Sequence, residues 1–151
     1  MITINSELIY EAFRHFLVKK LRIMEGNVIH VGEVSSCLRK AWYNRKLGDP
    51  TLRHLSKTKR VILALGLSTH VVLEEILKEL GYKIEEPVEK TVYIDGEKVT
   101  ITGTPDARND DVVLEIKTVN TIPEKPYYHH LMQLNTYLWL CDVRRGYIIY
   151  I

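Results

Sequence analysis

Two short stretches of the chain place charged side chains where a packed core would not want them. In Leu114-Glu115-Ile116-Lys117 charged and apolar residues alternate. On a β-strand, Glu115 and Lys117 therefore project side by side while Leu114 and Ile116 point the other way. Val113 and Val119 share the charged face, so that face is not cleanly solvated, and each charge on it needs a partner. Upstream lies Gly103-Thr104-Pro105-Asp106-Ala107, in which Pro105 cannot donate to a sheet ladder. It ends a strand and holds Asp106 at that strand's mouth. In a hairpin or tight meander the mouth lies beside the strand carrying Glu115. Two carboxylates so placed repel and raise one pKa, and a divalent cation relieves the conflict, since Mg2+ takes a few carboxylates plus waters and phosphate oxygens. Plainer readings stand beside this one: a surface ion pair for Glu115 and Lys117, and an ordinary turn start for Asp106.

Two helical stretches add polar groups to apolar surroundings. His70 sits within Lys59 to Leu80, one turn after Gly66 and one before Leu73, on the flank of an apolar face. A satisfied core histidine is the bland alternative to a ligand. Gly66 in a helix interior costs about 1 kcal/mol against alanine, which hints at the close approach of another element. Pro126–Cys141 carries no charge at all; His129, Gln133 and Tyr137 fall at four-residue steps and form one polar stripe. A buried stripe of that kind needs hydrogen-bonding partners, whereas an exposed one would simply meet solvent.

The elements that must position these residues follow from periodicity. Ser6 can cap a first helix to about Met24, with Ile9, Phe13, Phe16, Leu17 and Leu21 as its apolar stripe. Ser35 or Ser36 opens a short helix through about Lys46. The third helix, about Lys59 to Leu80, is apolar almost all round in its first half, which predicts burial there, and Gly81 is its stop. Alternation then shifts to a period of two: Pro87–Ile94, a turn at Asp95-Gly96, and Lys98–Thr104. Asp110–Val119 is a third strand, Pro126–Cys141 a helix and Gly146–Ile151 a closing strand. Hairpin strands followed by a helical crossover predict an α/β fold with a mixed sheet flanked by helices, behind a helical N-terminal cap. The expected organisation is one domain over 1–151, with a basic helical part to residue 60 and an αβββαβ core from residue 61.

Composition narrows the function classes. The chain has 151 residues, 46% hydrophobic and 26% charged, with net charge +2, as expected of a globular domain. Its longest uncharged stretches, Val61–Leu73 and Pro126–Cys141, fall short of the roughly 20 residues of a membrane span, so a cytoplasmic protein is the default. The net charge hides a basic block. Arg39, Lys40, Arg45, Lys46, Arg53, Lys57, Lys59 and Arg60 lie between Leu38 and Arg60 with Asp49 the only acid, interleaved with Trp42, Tyr43 and His54. Cations neutralise phosphates and aromatic faces stack on bases, so this block suits a nucleic acid, although a solvated surface would look the same.

Taken in order, His70, Asp106, Glu115-Ile116-Lys117 and Gln133-Leu134-Asn135-Thr136-Tyr137 resemble the signature of the PD-(D/E)XK nucleases in its RecB-like form. Glu-x-Lys alone is weak; six positions in order on a helix, two strands and a helix are far more specific. Within that superfamily the chain is most similar to the fourth CRISPR-associated exonuclease family, with Cys37-Leu38-Arg39-Lys40-Ala41-Trp42-Tyr43 resembling its N-terminal cysteine segment. The resemblance covers about Val34 to Ile151 and implies a restriction-endonuclease-like core.

It also implies roles. Asp106, Glu115, the carbonyl of Ile116 and His70 would hold Mg2+ or Mn2+. Lys117 would position or help deprotonate the attacking water, or hold a phosphate oxygen, with Gln133 and Tyr137 as a supporting shell. Arg39, Lys40, Trp42, Tyr43, Arg45, Lys46 and Arg53 would guide DNA, single-stranded because stacking needs exposed bases. The implied activity is exonucleolytic hydrolysis of single-stranded DNA ends in CRISPR adaptation or repair, with CRISPR adaptation proteins as partners. The alternative is an inactive DNA-binding or partner-binding subunit of the same fold. The family commonly holds an iron–sulfur cluster through one N-terminal and three C-terminal cysteines. The three are absent here, which implies a truncated form or a cluster-free branch, and no cluster is expected; Cys37 would be a ligand only in a longer chain.

Overall fold

The computed structural model describes residues 26–47 and 57–151, with side chains in the second stretch described from residue 62. The first expected helix, Ser6 to Met24, and Arg53 lie outside the described residues. In chain order the elements are β1 (Val28–His30), α1 (Val31–Val34), α2 (Leu38–Leu47), α3 (Lys57–Glu79), β2 (Lys83–Ile84), β3 (Val88–Ile94), β4 (Glu97–Gly103), β5 (Ala107–Arg108), β6 (Val112–Lys117), α4 (Tyr128–Cys141) and β7 (Arg145–Tyr150).

Local chemistry sets most boundaries. The β3–β4 hairpin turns on Asp95 (φ 51°) and Gly96 (φ 82°), two positive-φ residues whose twist matches that of the paired strands. α3 closes on Gly81 (φ 87°): the Gly81 N–H donates to the Lys78 carbonyl (3.0 Å) and the Tyr82 N–H to the Leu77 carbonyl (3.0 Å). These are the two bonds of a Schellman cap. α2 begins later than the serines suggested. Cys37 occupies the capping position, its carbonyl accepting from the Ala41 N–H at 3.0 Å. The Lys40 and Arg39 N–H groups aimed at its sulfur hold the exposed thiol below its usual range.

The sheet is divided rather than continuous. One sheet has the order β1-β4-β3 and the other β2-β5-β6-β7, each mixing parallel and antiparallel pairs. Pro105 is the cause. The chain leaves the first sheet at Gly103, passes through a residue with no N–H to donate, and resumes pairing at Ala107 against β6. β1, β2 and β5 went unseen in the sequence because two or three residues carry no measurable periodicity.

α4 binds the two sheets together. Leu134, Tyr137 and Leu140 bury themselves with Val113 of β6 and Val31 of α1, and Val88, Ile101 and Ile148 pack against this cluster. The approach is close at two glycines. A β-carbon on Gly103 would lie 2.7 Å from Val31 and 2.8 Å from Tyr137, and one on Gly146 would lie 2.8 Å from Leu134. α3 departs from expectation: Ala64 is buried, but Leu65, Val72, Ile76 and Leu80 stay exposed at helical spacing. Only one stripe of a helix can face one layer, and among the described residues nothing covers the others. Gly66 faces Thr118 of the strand end, 3.5 Å from where a β-carbon would be.

The two glycines should respond oppositely to alanine in urea denaturation. Gly103→Ala should destabilise by about 1–3 kcal/mol, because Val31 and Tyr137 are fixed in the core. Gly66→Ala should stabilise by up to about 1 kcal/mol, since the new methyl meets Thr118 at ordinary contact distance and helix propensity improves.

Candidate active site

Asp106 stands immediately before β5, whose register pairs Ala107 with Leu114 and Arg108 with Val113. Continued by one step, that register sets Asp106 opposite Glu115. The Asp106 carboxylate accepts the Ile116 N–H at 2.6 Å, which fixes it against β6. Its other oxygen lies 3.7 Å from His70 Nδ1 on α3. A helix and two strands thus converge on one carboxylate.

Its position is held from the far side by Tyr137. The phenol donates to the Thr104 carbonyl (3.0 Å) and accepts the Thr104 N–H (3.2 Å), clamping the peptide that precedes Pro105. Gln133, one turn earlier on the same face of α4, is half-buried. The polar stripe of this uncharged helix therefore meets partners at Tyr137 and is not simply solvated.

Glu115 is 1% exposed. One carboxylate oxygen receives Lys117 Nζ at 2.6 Å; the other, Oε1, is buried with no hydrogen-bond partner among the described residues. Burial first, and then the charge of Asp106, raise its pKa to about 7, against the pull of Lys117. An orphaned buried carboxylate oxygen beside a second carboxylate is the donor arrangement that a hard divalent cation satisfies. His70 is shifted the same way: the adjacent Asp106 raises its pKa against burial.

One further residue belongs here that the sequence reading did not name. Glu74 lies one turn beyond His70, and one ligand atom each from His70, Glu74 and Asp106 fall within 4.8 Å of one another. Glu115 stands outside this trio, turned toward Lys117. The i, i+4 spacing of His70 and Glu74 on a helix was the available signal. As they stand, His70, Glu74 and Asp106 could hold a metal between them.

The basic block is split. Trp42 (55% exposed) and Tyr43 (44% exposed) meet edge to face at 4.9 Å, with the Arg39 guanidinium 5.9 Å from the Tyr43 ring centre, and Lys40 and Lys46 are exposed on the same helix. Arg45 instead turns inward. Its guanidinium binds both oxygens of buried Glu33 (2.6 and 2.8 Å) and the Val28 carbonyl, tying α2 to α1 and β1. Burial pushes the Glu33 carboxyl up, but Arg45 and the His30 N–H outweigh it and hold the carboxyl below its usual range. Arg45 is thereby occupied within the fold, unlike its expected place on a DNA-facing surface. Cys141, at the end of α4, is half-buried, and burial raises its thiol pKa.

Metal-free protein should lose stability as pH rises through this site. Glu115 binds a proton in the folded state that it has released when unfolded, so its contribution is present below about pH 4.5 and is lost as pH passes about 7. His70, also shifted upward, works in the same direction. Urea denaturation in chelator should give a protein more stable at pH 5.5 than at pH 8 by on the order of a few kcal/mol. Glu115→Gln should flatten the profile, and Mn2+ should restore stability at pH 8 in the parent protein.

Comparison with known proteins gives the family. Residues 67–150 match the family model described as the PD-(D/E)XK nuclease superfamily. The chain is 32% identical over 149 residues to a CRISPR-associated exonuclease Cas4 of Saccharolobus solfataricus, covering 90% of this chain and 72% of that protein. It also superposes on the crystal structure of SSO0001 with a TM-score of 0.81 at 25% identity, covering 99% of this chain and 72% of that one. Residues 67–150 run from His70 through Glu74, Asp106, Glu115, Lys117 and Gln133 to Tyr137, so the matched segment holds the whole convergence of carboxylates, imidazole and amine. The chain belongs to the PD-(D/E)XK nuclease superfamily and, within it, to the family of the CRISPR-associated exonuclease Cas4.

Proposed function

We propose that this nuclease is a Mg2+- or Mn2+-dependent deoxyribonuclease that hydrolyses phosphodiester bonds from single-stranded DNA ends. The observation that carries the proposal is the buried Glu115 carboxylate, with one oxygen on Lys117 and one unpartnered, facing Asp106 across the β5–β6 ladder. His70, Glu74, Asp106, Glu115 and the Ile116 carbonyl are the residues that would hold the cation. When bound, it supplies Lewis-acid polarisation of the phosphodiester and makes water acidic enough to ionise near neutral pH.

The chain's own residues do the rest. Lys117, anchored by Glu115, presents its ammonium to the attacking water or to a non-bridging phosphate oxygen. Tyr137 acts on Asp106 through the Thr104 peptide, so it is a positioning residue, and Gln133 would complete the supporting shell that orients Lys117 and the DNA backbone. Arg39, Lys40 and Lys46 supply charge that draws in the backbone, and Trp42 and Tyr43 supply ring faces for unstacked bases. The relative's name, a CRISPR-associated exonuclease, supports the exonuclease reading and a CRISPR context; CRISPR adaptation proteins are the partners this reading proposes.

End-labelled single- and double-stranded oligonucleotides incubated with the purified protein and Mn2+ or Mg2+ test this. Stepwise shortening of the single strand should depend on the metal and vanish in chelator. Asp106→Ala and Lys117→Ala should each lower the rate by about 10²–10⁴-fold, with circular dichroism spectra unchanged. Undiminished cleavage in both variants means that hydrolysis happens elsewhere.

A further inference from the structure

Four rings gather where α4 begins, beside Lys117 and apart from the basic face of α2. β6 and β7 run parallel with Lys117 paired to Tyr150, so the two side chains share a face of the sheet. The Tyr150 hydroxyl receives the Tyr127 N–H at 3.2 Å and lies 2.9 Å from His130 Nδ1, pinning the first residues of α4 to the strand end. The Tyr127 ring lies nearly parallel to His129 (21° between planes, centroids 5.8 Å apart) and meets His130 edge-on at 5.4 Å. His129 and His130 are themselves 4.2 Å apart, and His130 lies 5.6 Å from Tyr150.

We propose that Tyr127 and His129 form a stacking platform that grips the nucleobase adjoining the phosphate at the catalytic site. The inference rests on the hydrolytic reading of Asp106, Glu115 and Lys117 and deepens it. Half-buried His130 and Tyr150 fix the cluster, while exposed Tyr127 and His129 hold their ring planes nearly parallel. Such a surface suits a base more than a phosphate. Burial, then the charges of His129 and Lys117, hold His130 at a pKa of about 4, so it is neutral wherever the enzyme would work. Lys117 next door already supplies the cation for the backbone, and rings are left to hold what the backbone carries. Every base has a π-face, so the platform grips without reading sequence.

A single-stranded oligonucleotide carrying 2-aminopurine at successive positions tests the platform. In chelator, where hydrolysis does not compete, binding should quench the fluorophore at one position near the end. Tyr127→Ala should lose that quenching, and Tyr127→Phe, which keeps the ring, should retain it. With Mn2+, Tyr127→Ala should raise KM about tenfold with kcat little changed. It should also stop distinguishing a normal strand from one abasic at that position. His129→Ala should show the same loss in weaker form. Tyr128→Ala, more exposed at 76% yet outside the ring cluster, should behave as the parent.

Unchanged quenching and unchanged base-versus-abasic preference in folded Tyr127→Ala overturn the inference. A fall in melting temperature without either change assigns the rings a purely bracing role and overturns it equally. A parent protein that quenches but does not cut keeps the base-binding platform and overturns the hydrolytic reading.

Discussion

A carboxylate buried in the middle of a β-strand costs several kcal/mol unless something answers its charge, and the site depends on how Glu115 is answered. Lys117, two residues along the same strand, answers one oxygen. The other is left without a partner among the described residues, and a second carboxylate stands across the ladder. A hydrophobic pair at these positions would pack better and fold more readily. The uncompensated oxygen calls for a partner, and a divalent cation is a species that would make such a site stable rather than frustrated.

Asp106 matters because it is held from three directions. The Ile116 N–H fixes one oxygen, His70 approaches the other, and Tyr137 clamps the Thr104 peptide two residues upstream. Pro105 makes this geometry possible by forcing the chain out of one sheet before it enters the other. α4 spans both sheets, so its phenol reaches the junction. The close approach at Gly103, where Val31 and Tyr137 leave no room for a β-carbon, belongs to the same arrangement. Packing and site are here one structure: loosening α4 would release the loop that aims Asp106.

The N-terminal part shows how charge in a sequence divides between function and fold. Arg39, Lys40 and Lys46 stay at the surface of α2, while Arg45 turns in to bind Glu33 and the β1 backbone. Nothing in a run of basic residues marks which will do which. A guanidinium with five donors can serve a phosphate or a buried carboxylate equally well, and the choice falls to the partner that folding brings within reach.

Local chemistry determined a good deal by itself. Alternation placed Glu115 and Lys117 on one face, Asp95-Gly96 set the hairpin, Gly81 the end of α3, and Pro105 the end of β4. The ordered residues from His70 to Tyr137 carried the family. These features were legible because each rests on spacing along one element or on a backbone restriction at one residue. Tertiary structure alone decided the division into two sheets, the exposed apolar flank of α3, the inward turn of Arg45, the meeting of the His70–Glu74 pair with Asp106 and the four-ring cluster beside Lys117. Each depends on residues far apart in the chain meeting at a distance of a few ångströms, and sequence periodicity carries no information about which surfaces will meet.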